Sequence, residues 1–223
     1  MEEEDGSEDP NGGETTMTIT PLSAIAEAFE DLSRTVGKFN SNGFSDDCLQ
    51  LKPFCDACSL VSVLFGCLGI AFKFAEYEYG SKVHDLEEAS KIYVTLNNIL
   101  DIDVKNDTVK THGSLSRNLR RVRQGLDLIR ALFKNFLSSE YCSLKEAAST
   151  AYAEVCAPYH TWAVRTAVST GMYALPTREQ LLLKLNETDE SAEKEMRRYI
   201  EASLPVIEYI DKLYVRRNIS LDW

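Results

Sequence analysis

The chain has 223 residues, 44% hydrophobic content and a formal charge of −11, enough apolar material for a buried core and most naturally a single domain. Residues 1–20, "MEEEDGSEDPNGGETTMTIT", hold seven acidic and no basic side chains among Gly, Pro, Ser and Thr, the composition of a disordered acidic tail. The tail accounts for −7 of the charge and leaves −4 for residues 21–223, which excludes the broad basic footprint that nonspecific nucleic-acid binding needs.

An acidic start is not the basic n-region of a signal peptide, so the protein is expected in the cytoplasm. The longest apolar run, "LVSVLFGCLGIAF", contains two glycines and falls short of the roughly twenty residues of a spanning helix. Six cysteines are present: Cys48, Cys55, Cys58, Cys67, Cys142 and Cys156. "CDAC" is half a zinc site, but no second CxxC or HxxxH follows at ligand spacing. The cysteines are therefore read as reduced core residues, and no metal or cofactor is expected.

Strand signals are nearly absent and the 3.6-residue apolar period recurs throughout, so the fold class is all-α. Thr20-Pro21 reads as an N-cap and first helical residue for "LSAIAEAFEDLSRTVGKF". A second helical region is predicted from about Pro53 to Lys82, broken near Gly66 or Gly69. "LEEASKIYVTLNNIL" is predicted as a third helix and Ser114–Leu137 as a long fourth. "SLKEAASTAYAEVC" ends before Pro158, which can itself open "PYHTWAVRTAVSTGMYAL". Thr177 and Gln180 form a capping box for "REQLLLKLN". A last long helix, "SAEKEMRRYIEASLPVIEYIDKLYV", is expected to kink at Pro205. Residues 21–223 thus form one domain, without internal repeats.

"SLSRNLRRVRQGLDLIRALFKNFL" raises a question of charge: four arginines fall within seven residues of a net-acidic chain. At 100° per residue, Leu115, Leu119, Val122, Leu126, Ile129, Phe133 and Phe136 form the core stripe. Arg120, Arg123, Asp127, Arg130 and Lys134 share a side expected to face solvent. Arg117 and Arg121 lie on a third side, continued by Gln124, Gly125, Leu128 and Leu132. A buried guanidinium demands a partner, so either an anion, an internal salt bridge or a wet rim is expected there. Upstream, Glu78 and Lys82 sit at i and i+4, on a side continued by Phe74, Ala71, Cys67 and Leu64. If the two helices pack antiparallel, three cations and one carboxylate meet at the mouth of two apolar lines. Such a site suits a ligand with an anionic head and hydrocarbon tails.

"FGCLGIAFKFAEYEYGSK", "RNLRRVRQGLDLI", "APYHTWAVRTAVSTGMYALPTR" and the terminal "LDW" resemble the glycolipid transfer protein family, in particular its ceramide-1-phosphate-transferring plant branch, the accelerated-cell-death type. The resemblance covers about Pro21 to Trp223. It implies a two-layer helical sandwich that encloses lipid chains beneath a surface headgroup site. It also implies that Glu78 binds the ceramide amide N–H and a sphingoid hydroxyl, that His160 binds the amide carbonyl, and that Lys82, Arg117 and Arg121 hold the phosphate. Sugar-selective members carry tryptophan at the place of Arg121. Two departures stand out: the family acid is normally aspartate, one methylene shorter than Glu78, and Gln124 replaces a base common in close relatives, thinning the outer basic fringe.

Phe74, Leu128 and Leu132 are the expected pocket lining. Trp162 is expected at the membrane-facing rim, with core packing as the competing reading. The function expected is non-enzymatic transfer of ceramide-1-phosphate or a related phosphosphingolipid by a protein that touches membranes transiently. The alternative is a sphingolipid sensor or scaffold with little transfer. An enzyme is disfavoured because His160 has no evident nucleophile partner in the sequence.

Overall fold

The computed structural model describes residues 19–41, 49–138 and 143–223, which contain nine α-helices and three short 3₁₀ turns. Most of the expected acidic tail, residues 1–18, lies outside the described residues, as do Cys48 and Cys142.

Local capping decides most helix starts. α1 (Pro21–Ser41) opens with a reciprocal pair, Ser23 N–H to Thr20 Oγ1 at 3.1 Å and Thr20 N–H to Ser23 Oγ at 3.0 Å. Its buried residues Leu22, Ile25, Phe29, Leu32 and Val36 follow the spacing of one helical face. The region expected from Pro53 to Lys82 is two helices, α2 (Leu51–Cys67) and α3 (Lys73–Ala89). Between them Gly69, at φ +95°, turns the chain into a short 3₁₀ turn, Ile70–Phe72; only glycine takes that backbone freely.

The helix expected over "LEEASKIYVTLNNIL" is not formed as one unit. Leu86 to Ala89 end α3, and the chain then runs to Val94, whose carbonyl accepts from Leu51 N–H at 2.8 Å. Ile92-Tyr93-Val94-Thr95 is a β-branched and aromatic run with weak helix preference. Thr95 then starts α4 (Leu96–Lys105) through a capping box with Asn98.

α5 (Leu115–Ser138) is followed by α6 (Leu144–Val155), opened by the Ser143/Glu146 capping box. Pro158 does not begin the next helix. It lies in a 3₁₀ turn, Ala157–Tyr159, after which His160 is extended and Thr161 caps α7 (Trp162–Gly171). A further 3₁₀ turn, Met172–Ala174, leads to α8 (Arg178–Leu185), where the Thr177/Gln180 box is present. α9 (Asp189–Val215) runs through Pro205 without interruption.

Packing closes a circuit around the core. α1 lies on α2, α2 on α3, α3 on α5, α5 on α9 and α9 on α1, with α6 against α5. Phe29, Phe54, Phe136, Tyr199 and Tyr214 fill the centre, and the Tyr199 hydroxyl donates to the Leu126 carbonyl at 3.1 Å.

α5 is covered on more sides than its wheel suggested. Arg120 is only 4% exposed, and Arg123 forms a two-pronged pair with Asp211 of α9, at 2.9 and 2.6 Å, while donating to Asp127 at 2.7 Å. Arg120 donates to the Leu221 carbonyl at 2.6 Å and lies 3.9 Å from Asp211. Most of the side expected to face solvent is therefore an interface with α9 and the C-terminal residues, while Lys134 at its far end is exposed as expected. Its acid comes from a helix some ninety positions away, which α5 alone does not reveal.

α3 and α5 approach closely and run antiparallel. Tyr79 lies against Gly125, and six residues further along α3 Asp85 accepts from Asn118 at 2.9 Å. A Cβ placed on Gly125 would lie 2.6 Å from Tyr79 Cδ2, and the Tyr79 hydroxyl is already fixed to the Cys58 carbonyl at 3.1 Å. Gly125→Ala is therefore expected to lower stability by about 1–3 kcal/mol, the usual cost of overpacking. Urea denaturation measures this, and unchanged stability would show that the helices can separate freely at this point.

Candidate functional site

The antiparallel register brings Lys82 and Arg121 to the same level of the α3–α5 pair, with Glu78 and Arg117 flanking them in opposite directions. Tyr79, Lys82 and Asp85 share a face of α3, and Asn118, Arg121 and Gly125 share a face of α5. Because Tyr79 meets Gly125 and Asp85 meets Asn118, Lys82 and Arg121 lie between those contacts on facing surfaces. Glu78 and Arg117 sit one turn from them, at i−4 in each case.

The cations here are sparsely neutralised. Lys82 Nζ is 3.4 Å from Glu78 Oε2, an ion pair half open to solvent. Arg117 donates from Nη1 to the Lys110 carbonyl at 2.8 Å, and Arg121 from Nη1 to Gln124 Oε1 at 2.8 Å. Among the described residues neither arginine forms a salt bridge. Burial, and then the charges of Arg117 and Arg120, hold the Arg121 guanidinium below its ordinary pKa. Arg117 and Arg121 thus keep their charge against neutral acceptors, the reverse of the Arg123–Asp211 interface on the other side of the same helix.

His160 joins the group from the turn after α6. Its Nδ1 is 2.9 Å from the Tyr152 hydroxyl, and burial, with a smaller contribution from Arg121, keeps its pKa below 6.5. That dependence on Arg121 places the imidazole within the field of the α5 cations. Gln124 is 5% exposed and donates to the Val155 carbonyl at 3.1 Å. It belongs to the interior of the site, and the outer fringe expected for it is corrected accordingly. The i, i+3 spacing from Arg121 was the available signal, since residues three apart on a helix are neighbours. Tyr152 carried no comparable signal.

The residues predicted to line a pocket divide. Leu132 is buried and Leu128 packs against the core, but Phe74 is 74% exposed. The apolar line drawn from Leu64 through Cys67 to Phe74 assumed one continuous helix. Gly69 breaks that helix and rotates α3 against α2, so Phe74 faces outward. Trp162 is 76% exposed at the start of α7, which excludes core packing. Around it, α7 has no buried residue.

Two surface depressions, of about 440 and 370 Å³, lie one beside Ile92, Val94 and Ile102 and the other beside Ser62, Glu76 and Gly80, and neither is lined by Glu78, Lys82, Arg117, Arg121 or His160. Cys55 and Cys58 are fully buried; burial pushes the Cys55 thiol up to about 12 and Cys58 well above its ordinary value. They are core residues, not nucleophiles.

Residues 49–187 match the family model described as glycolipid transfer protein (GLTP). The chain belongs to the glycolipid transfer protein family. It is 66% identical to an Arabidopsis thaliana protein called ACD11 homolog protein, over 100% of this chain and 97% of that one. It is 46% identical to Accelerated cell death 11 of the same plant, over 91% and 96% of the two chains. A crystal structure of an Arabidopsis ACD11 mutant complexed with C12 ceramide-1-phosphate matches with a TM-score of 0.87 at 45% identity, covering 92% of this chain and 100% of that chain. The all-α, two-layer sandwich of the GLTP fold is thus the architecture of this protein. Among the described residues, no helix is long and apolar enough to cross a membrane.

The His160 environment gives this GLTP-family domain a pH dependence with a definite sign. A folded-state pKa below the unfolded value means that the unfolded chain binds more protons, so stability rises with pH. The contribution is fully present above the ordinary value of 6.5 and is lost as pH falls below it, until the folded-state pKa is passed. Denaturation between pH 7.5 and 5 should show the wild type losing stability more steeply than His160→Gln. Equal slopes would mean that the imidazole is not desolvated.

Proposed function

We propose that the protein is a non-enzymatic carrier that extracts ceramide-1-phosphate from one membrane, shields its chains and releases it to another. The observation that carries this reading is Arg121, a partly desolvated guanidinium without a carboxylate among the described residues, facing Lys82 and one turn from Arg117. A phosphate monoester carries about −1.5 to −2 charges near neutral pH. Lys82, Arg117 and Arg121 outnumber the carboxylates Glu78 and Asp85 on the facing helix, so the cluster keeps a net positive charge for such an anion. The ceramide-1-phosphate bound in the ACD11 crystal structure agrees with this headgroup.

In this reading Lys82 acts as a point charge and the two arginines as planar forks for the phosphate oxygens. Glu78 accepts from the amide N–H and a sphingoid hydroxyl. Tyr152 donates to His160 Nδ1, so the neutral imidazole presents Nε2–H to the amide carbonyl. The chains lie beside Leu128 and Leu132. Burying two long chains at about 0.8 kcal/mol per methylene amounts to roughly 20 kcal/mol or more, so solution transfer without a protein is negligible.

Phe74 takes a different place from the one expected. Gly69 lies near the Ala174 carbonyl, which brings the Ile70–Phe72 turn beside the Met172–Ala174 turn. Ile70, Phe74, Trp162 and Tyr173, each more than 70% exposed, form the apolar rim that meets the membrane interface. The protein thereby acts as a peripheral membrane protein.

Vesicle-to-vesicle transfer of fluorescent ceramide-1-phosphate and galactosylceramide tests the proposal. Selective transfer of the phosphate lipid is expected, with Arg121→Ala lowering affinity at least about tenfold through loss of charge-assisted hydrogen bonds. Unchanged affinity in Arg121→Ala would remove the phosphate-site argument. Stoichiometric binding without transfer would favour a sensor. Glu78→Asp, run in parallel, reads the effect of the extra methylene: equal rates mean that glutamate serves the amide as well as aspartate does.

A further inference from the structure

Gln124 is 5% exposed and uses both ends of its amide. Oε1 accepts from Arg121 Nη1 at 2.8 Å, and Nε2 donates to the Val155 carbonyl at 3.1 Å. Val155 is the last residue of α6, so its carbonyl is among those a helix leaves without intrahelical donors. Three residues earlier on the same helix, the Tyr152 hydroxyl is bonded to His160 Nδ1. The final turn of α6 therefore grips the cluster at two points, Arg121 through Gln124 and His160 through Tyr152.

We infer that Gln124 is a positioning residue of the headgroup site, anchoring the Arg121 guanidinium to the end of α6 while leaving its charge unneutralised. The inference rests on the reading of Arg121 as a phosphate ligand. Among side chains of this length only a carboxamide meets both demands. Glutamate would accept from Arg121, but it would lose the donor to Val155 and cancel the positive charge. Lysine or arginine would donate to Val155, but it would offer Arg121 no acceptor and would repel it. With one Nη1 hydrogen held by Gln124, the remaining Arg121 donors keep a fixed direction toward the face shared with Lys82, and less side-chain freedom is lost when an anion arrives.

The test uses the full chain with two readouts. The first is the order of the Arg121 Nε–H group by ¹⁵N relaxation in the lipid-free protein, compared between wild type and Gln124→Met. The inference expects Arg121 to become mobile in the variant while the α5 backbone stays ordered. Unchanged Arg121 order overturns it. The second is a double-mutant cycle on affinity for short-chain ceramide-1-phosphate. Gln124→Met should weaken binding about tenfold in the wild-type background and have no effect in the Arg121→Ala background. Gln124→Glu should weaken it further than Gln124→Met. The same loss in both backgrounds would mean that Gln124 merely caps α6, and it overturns the inference. A wild type that ignores the phosphate lipid, yet whose Arg121 loosens in Gln124→Met, removes the carrier proposal and sustains the hold of Gln124 on Arg121.

Discussion

The close approach of α3 and α5 at Gly125 sets the geometry on which the site depends. Without a Cβ at that position, the Tyr79 ring lies directly on the α5 backbone, its hydroxyl tied to α2 through the Cys58 carbonyl. A fixed ring fixes the register, and the register decides which side chains of the two helices face each other. Lys82 stands at the level of Arg121, not of a neighbour one turn away, because Tyr79 and Asp85 pin α3 on either side of it. The polar cluster is therefore positioned by an apolar contact, and its precision comes from packing rather than from attraction among charges that repel.

α5 displays two solutions to the same electrostatic problem. On the side turned to α9, Arg123 and Arg120 are buried against Asp211 and the Leu221 carbonyl, and the pair Arg123–Asp211 has the planar, two-pronged geometry that offsets desolvation. On the side turned to α3, Arg121 and Arg117 have carbonyl and amide oxygens as partners, which satisfy individual N–H groups without cancelling charge. Neutral acceptors leave a site positive. Keeping such charge partly out of water costs stability, and the lowered Arg121 pKa is the sign of that cost. That cost persists because the surrounding helices hold the arginines in place, and under the proposed function an arriving phosphate would relieve it.

Much of this was legible in the sequence because it is local. Thr20, Ser143 and Thr177 announce helix starts through hydrogen bonds within three residues, and the α5 core stripe follows from helical period alone. Lys82 and Arg121 could be placed opposite one another because two neighbouring helices suffice for the argument. What the sequence hid was non-local. The acid that pairs Arg123 lies on α9, so a wheel drawn for α5 alone assigned that side to solvent. Phe74 was misplaced because the line leading to it crossed Gly69, where the helical phase is reset. The helix expected from Leu86 to Leu100 kept its apolar period across a β-branched run that the tertiary structure uses as a connection instead. Tyr152 became informative only when the turn after α6 folded His160 back toward it.

The carrier proposal asks a closed core to admit a two-chain lipid, and the distribution of burial indicates where it would do so. Leu132 and its neighbours on α5 are packed as in any well-filled interior, so chains can enter only where helices separate. Separating α5 from α9 would expose Arg120 and break the Arg123–Asp211 pair, while separating α1 from α9 would uncover Phe29 and Tyr199. α7 is different: among the described α-helices it alone has no buried residue, and it is held at its start by the Thr161 cap and at its end by the Met172–Ala174 turn. Moving it uncovers little apolar surface, so the cost is small by the measure of about 25 cal/mol per Å². The exposed Trp162 at its start would, under the carrier proposal, gain on contact with a lipid interface what it lacks in contact with the protein. Under the carrier proposal, membrane contact would act on the element whose displacement costs least, while the α3–α5 register that positions the cations stays closed.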